Sequence, residues 1–340
     1  MSALELLNAI IMTLSDIAGE DRAAAGLAPL ASRVRAGPAA SAAAGAALAS
    51  LSPVLLAKEG LLWAALDPAL ASDVVTQSAY GLVGEVSRCI FLWPGLESSA
   101  PELMSRSAGL LAASMGALEA RAGQKAADDA ARAAGQRLPR QVFVGPSGYT
   151  PNNHALGNIL WAMGQIIGRL GVPGAQTVAA GLAPTLVRMF DPRILGPTKL
   201  MYTNAASALL RLCARGAQDC VFAACQAAVP AEARAGVPWL ARLAQTAGLF
   251  EDQGDMLDAV TGLTALLSAQ PQACFPALVE ACRLFGTVCG AMTLPPQHLA
   301  RLAAVLNGYK SGLGAQGWAG LWAALSKETQ EELAKAVPGL

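Results

Sequence analysis

The chain has 340 residues with 24 basic and 24 acidic side chains, and no basic run, which excludes a dedicated nucleic-acid binder, since such proteins carry a basic stripe. Hydrophobic residues make up 54% but aromatics only 5%, so Ala and Leu supply the apolar surface. Both are strong helix formers, and too few β-branched and aromatic residues alternate to build sheets, so the chain reads as all-α.

The first residues, MSALELLNAI, lack a basic stretch followed by a cleavable apolar core, so no signal peptide is expected. Residues 20–50 are Ala-rich and of low complexity. From Ala36 to Ala57 no charge appears, but the stretch contains Pro38, Pro53 and several Gly and Ser. A membrane span needs about 20 strongly apolar residues, and Ala contributes little transfer energy, so no membrane insertion is expected.

Beyond it, apolar helical stretches alternate with Gly/Pro breaks at Asp67-Pro68, Trp93-Pro94-Gly95, Val172-Pro173-Gly174, Asp191-Pro192, Val237-Pro238 and Pro295-Pro296. Helices of roughly 12–18 residues between such breaks suit stacked hairpins. Arg121–Pro151 departs from this: it is rich in Ala, Gln and charge, ends in GPSGYTP, and has no apolar face, so it reads as an exposed insertion or loop. The expected organisation is helical repeats over 1–110, an insertion over 111–151, and helical repeats with capping helices over 152–340.

Three segments fall in register: Gln77–Val86 (QSAYGLVGEV), Gly157–Ile166 (GNILWAMGQI) and Thr203–Leu212 (TNAASALLRL). A looser fourth is Asp258–Leu267 (DAVTGLTALL). The second and third begin about 46 residues apart, within the 40–47 period of HEAT and armadillo arrays. In such arrays a single hairpin cannot bury its own apolar face, and stacking supplies the core. The expected fold is therefore an all-α HEAT-repeat (armadillo-like) solenoid superhelix.

Within each copy the first, fifth and ninth positions share one helical stripe: Gln77/Gly81/Glu85, Gly157/Trp161/Gln165 and Thr203/Ser207/Arg211. Its polar ends do not resemble core, whereas Ala79, Leu82, Val83 and Val86, and likewise Ile159, Ala162, Met163 and Ile166, form the apolar face. The stripe is expected to point out of the packed layer, into a concave binding surface.

The run Asn158-Ile-Leu-Trp161-Ala-Met-Gly164-Gln165-Ile is similar to the Asn-Ala-Thr-Trp-Ala-Ile-Gly-Glu-Ile helix of the transportin (karyopherin-β2) import receptors of the importin-β family. Val75-Thr-Gln77 through Gly84-Glu85 resembles their Val-Arg-Gln-Ser-Ser-Phe-Ala-Leu-Leu-Gly-Asp, and Thr203-Asn204 through Arg211-Leu212 their Glu-Asn-Thr-Ala-Ile-Thr-Ile-Gly-Arg-Leu. Pro238-Trp239 has a counterpart, and Leu306-Asn-Gly308-Tyr-Lys310, Gly314 and Trp318 resemble the family's closing segment. Ala3-Leu-Glu5-Leu-Leu resembles its Ala-Leu-Asp-Leu-Leu. The matches keep one order over residues 60–105 and 150–340.

The resemblance implies a receptor that shuttles between cytoplasm and nucleus. Its cargo proteins would carry basic proline–tyrosine nuclear localisation signals, and nucleoporins would be further partners. It implies cargo contacts at Trp161, Asn158, Gln77, Glu85 and Asn204. Trp161 offers a flat face for a cation or peptide stem, the two Asn hydrogen-bond an extended backbone, Glu85 pairs with a basic side chain, and Gln77 bonds either partner. The family's Ran GTPase site lies on N-terminal repeats with no counterpart here, so Ran is expected to bind only where such repeats are present. Gly157, Gln165 and Ser207 depart from the family pattern. An acidic cluster at Glu251, Asp252, Asp255 and Asp258 reads either as a basic-signal contact or as the solvated start of a helix.

The alternative reading is a generic HEAT interaction scaffold, for instance like a phosphatase regulatory subunit. No phosphate loop, GxSxG or HExxH occurs, and two His supply a triad poorly, so neither catalysis nor a cofactor is expected. The seven Cys lie mostly on apolar helical stretches without a CxxC pair, and His154 and His298 stand apart, so core-packed thiols rather than a metal site are expected.

Overall fold

A computed structural model describes the segments 127–135, 170–190, 198–229 and 236–340, Arg234, and isolated positions at 43, 46, 123, 157, 160, 161, 163, 164, 167 and 168. Every regular element among the described residues is helical. The chain forms two compact units, one of residues 1–169 with 195–201, the other of residues 170–194 with 202–340.

In the first unit Leu160, Met163 and Ile167 are sealed, and their spacing puts them on one helical face. Residues 127–133 form an exposed helix that stops at Gly135, whose φ of 79° suits a residue without a Cβ. Part of the segment expected as an exposed insertion or loop is thus an exposed helix. Arg132 and Asp129 pair at 3.2 Å on its surface.

The second unit opens with α1 (Val172–Arg188), whose Pro173 lies in the first turn, where a missing N–H costs nothing. Its buried face runs through Ala175, Ala179, Leu182, Ala183, Leu186 and Val187 and packs on α3 (Gln218–Ala228), which contributes Val221 and Cys225. Between them in sequence lies α2 (Lys199–Leu212), continued by a π turn over Cys213–Ala217. Every residue from Asn204 to Cys213 is buried, so α2 is enclosed on all sides from Asn204 onward, while Lys199 and Leu200 at its start are exposed. A helix apolar around most of its circumference belongs in such a setting.

Pro238 again opens a helix, α4 (Pro238–Ala247), which buries Trp239, Leu240, Leu243, Ala244 and Ala247. Asp252 caps α5 (Gln253–Ala269), its carboxylate accepting from the Asp255 amide at 3.0 Å. A single turn (Pro271–Cys274) and a 3₁₀ turn (Phe275–Ala277) lead into α6 (Leu278–Ala291), which buries Leu278, Ala281, Cys282, Leu284, Phe285 and Val288.

Pro295-Pro296 starts α7 (Pro296–Ala323), bent at Gly314, where φ 66° and ψ 175° interrupt the helix. Ser326 caps α8 (Lys327–Ala336) through the Thr329 amide. Trp318 is buried and lies against Trp322, the rings 5.7 Å apart.

The packing follows a rule within this unit. Beyond contacts between sequence neighbours, α1 rests on α3, α4 on α6, α5 on α7, and α6 on α8. With α3 on α5 as well, five of the helices lean on the second one along the chain, whereas the π turn that continues α2 meets α5. Among the described residues one stretch, Pro271–Ala291, is long and apolar enough to cross a membrane, and half of it is buried inside the protein. Its apolarity is used in packing against α4 and α8.

Candidate functional site

The main polar assembly of the second unit joins α2 to α5. Arg211 projects from the last turn of α2; its Nε donates to Asp258 Oδ2 at 2.8 Å and its Nη2 to Asp255 Oδ1 at 2.9 Å. The Ser207 hydroxyl, one turn earlier, donates to the same Asp255 oxygen at 2.7 Å. Asp255 and Asp258 are one turn apart on α5, so both carboxylates meet one guanidinium.

The Arg211 side chain is only 9% exposed, while those of Asp255 and Asp258 are 25% and 30% exposed. Burial raises the Asp255 carboxyl above its ordinary range. The Arg211 charge and the Ser207 hydrogen bond pull it back, and Asp252 and Asp258 add to the rise.

This corrects two sequence expectations. The stripe at Ser207 and Arg211 does not point out of the packed layer: it is sealed between α2 and α5. The helix is surrounded, so its polar side chains can be satisfied only by the neighbouring helix, which supplies two carboxylates. The acidic cluster in turn is neither an open contact for basic signals nor merely a solvated helix start. Asp252 caps α5, and Asp255 and Asp258 neutralise Arg211.

The polar contacts continue to α7. Thr261 Oγ1 donates to the Leu257 carbonyl at 2.8 Å and lies 2.9 Å from His298 Nδ1. Desolvation lowers the His298 pKa below 6.5, as does Arg301, while Asp258 opposes them. No sequence signal paired His298 with Thr261, because the two stand on different helices far apart in the chain.

Of the residues expected to hold cargo, Gln77, Glu85 and Asn158 lie outside the described residues. Trp161, in the first unit, is partly exposed on the helical segment whose Leu160, Met163 and Ile167 are sealed. Gly157, one turn before it, is buried so closely that a Cβ there would lie 2.7 Å from Leu200 Cδ2. Asn204, in the second unit, is 9% exposed, so most of its side chain is covered.

The described cysteines are free thiols. Cys213, Cys225, Cys274 and Cys282 are buried, and burial pushes Cys274 and Cys282 up to about 12 and Cys289 to about 11. Such thiols are protonated and poor ligands or nucleophiles at neutral pH. Among the described residues, no three His, Cys, Asp or Glu are placed to hold a metal ion.

No protein-family model matches this chain, and no curated protein matches it.

Proposed function

We propose that this chain is a non-catalytic, HEAT-type helical stack that grips extended basic segments of other proteins. It would correspond to the cargo-holding part of a transportin-like nuclear import receptor. Three things support the reading. Five helices of the second unit, α1, α3, α4, α5 and α6, pack on the second one along, as layered hairpins do. Three of the resembling segments fall on helices: Thr203–Leu212 within α2, Pro238-Trp239 at the start of α4, and Leu306 to Trp318 within α7. The single observation that carries the cargo role is Trp161, a large aromatic left partly open beside a sealed apolar face.

The partly open indole would take the stem or charge of a Lys or Arg, worth ~0.5–2 kcal/mol. Asp255 and Asp258 do not serve this purpose, because Arg211 already occupies them. Cargo charge would instead be met by Glu85, with Gln77 and Asn158 bonding the peptide backbone.

The test is fluorescence anisotropy of a labelled basic peptide ending in Arg-x-x-Pro-Tyr, beside the same peptide ending in Ala-Ala. The expected result is binding that falls about 2- to 30-fold for Trp161→Ala, the range implied by a cation–aromatic contact. Binding unchanged in that variant would remove Trp161 from the site. Equal binding of both peptides would favour a general interaction scaffold, which the sealing of Ser207 and Arg211 also suits. No binding by the wild-type chain would overturn the import-receptor reading.

A further inference from the structure

We infer that the corner between α3 and α4 holds one buried water, bridging the indole N–H of Trp239 to the side-chain carbonyl of Gln226. Trp239 is 3% exposed, yet its Nε1 has no hydrogen-bond partner among the described residues; neither has Gln226 Oε1, which is also buried. One is a donor and the other an acceptor. Buried polar groups in folded proteins are nearly always satisfied, by protein or by ordered water.

Three contacts place both side chains at the junction of α3 and α4. The Trp239 ring lies against Phe222, with centroids 5.9 Å apart. Gln226 stands one turn after Phe222 on α3 and therefore shares its face. The other end of the Gln226 amide is fixed, because its Nε2 donates to the Arg234 carbonyl at 3.3 Å. That carbonyl also accepts from the Val237 amide at 3.2 Å, two residues before Trp239. The Gln226 head is thus tied to the start of α4, with its oxygen left over.

The opposite polarities select the occupant. A cation would face the indole N–H, and an anion would face the amide oxygen. A water accepts from the first and donates to the second, and two such partners lie within the usual number for a buried water. The backbone here is also constrained: Val237 adopts φ 38° and ψ 49°, a left-handed conformation rare for a β-branched residue, with its side chain 1% exposed. Such geometry persists only where the surroundings over-determine it. Arg234 adds to this by donating to the Val229 and Ala227 carbonyls at the end of α3. A bridging water would complete the set.

The full chain with ¹⁵N-labelled tryptophan tests this. The Trp239 indole resonance is assigned by its loss in Trp239→Phe and by its contacts with the Phe222 ring. A cross-peak between that N–H and water, with the sign of a long-lived complex, is expected in the wild type and should be lost or strongly reduced in Gln226→Met. An indole N–H with no such cross-peak in the wild type overturns the inference without recourse to any Gln226 variant. A cross-peak of undiminished intensity in folded Gln226→Met overturns the bridge.

Discussion

Gly262 of α5 lies against the backbone of Leu210 in α2 so closely that a Cβ at position 262 would sit 2.1 Å from the Leu210 carbonyl oxygen and 2.8 Å from its carbon. No rotamer change relieves such a clash, because the obstacle is main chain. This approach also brings Asp255 and Asp258 within reach of Arg211.

Gly262→Ala should therefore force α2 and α5 apart. Overpacking of this kind costs about 1–3 kcal/mol or more. The midpoint of denaturant unfolding should fall for Gly262→Ala and hold or rise for Gly308→Ala, a helical position where a Cβ meets nothing within 4 Å and Ala is the better helix former. Equal midpoints for Gly262→Ala and wild type would refute the tight approach.

Arg211→Met should leave two partly buried carboxylates uncompensated. Breaking a buried pair from one side costs about 3–5 kcal/mol. Because Asp255 and Asp258 keep some exposure, about 1.5–3 kcal/mol is expected, closer to the loss of a charged hydrogen bond. Calorimetric or denaturant unfolding reads this directly.

The Asp255 shift gives a signed pH dependence. Its folded pKa is raised by burial, so the native chain holds this proton more tightly than the unfolded chain. The resulting stability is present below about 3.8, the ordinary value, and is lost as pH rises through the raised folded value. The stability of wild type relative to Asp255→Asn should therefore decline across that window as pH increases. A difference that grows with pH would show that the Arg211 charge outweighs burial.

His298 should titrate below 6.5, since desolvation and then Arg301 both favour its neutral form. The sign is opposite to that of a paired His: stability is present above the unfolded pKa and lost as pH falls. Arg301→Ala should move the imidazole titration upward, as followed by the ring resonances. An unchanged or lower midpoint would contradict the role of Arg301.

The buried thiols should be slow to react. In native protein at pH 8, maleimide should label Cys220 and Cys289, which keep some exposure, well before Cys213, Cys225, Cys274 and Cys282. All should become labelled on unfolding. Early labelling of Cys282, buried and pushed up to about 12, would contradict the packing of α6.

Much of the helical character was legible because its causes are local. Ala and Leu favour helix, and the Pro-containing breaks at Pro173, Pro238 and Pro296 mark helix starts, where proline's missing N–H is harmless. Of the thiols expected in the core, Cys282 is buried, but Cys289, seven residues on along the same helix, keeps some exposure. The 127–133 helix was not legible as such: it has no apolar stripe, and exposed Ala-rich helix shares its composition with loops. The site was read less well. A stripe reading Thr203, Ser207, Arg211 looks solvent-facing when only its own helix is considered. Its partners, Asp255 and Asp258, stand on another helix, and nothing local reveals whether a polar side chain will meet water or a neighbour.

The sequence by itself determined the helices and many of their ends, because backbone preference, proline chemistry and the 3.6-residue period act over a few neighbouring residues. Only the tertiary structure decided that α2 is enclosed, that Gly262 meets the Leu210 backbone, and that Arg211 is claimed by two aspartates. Those outcomes depend on which faces come together, and a charge shows its role only when the group opposite it is in place.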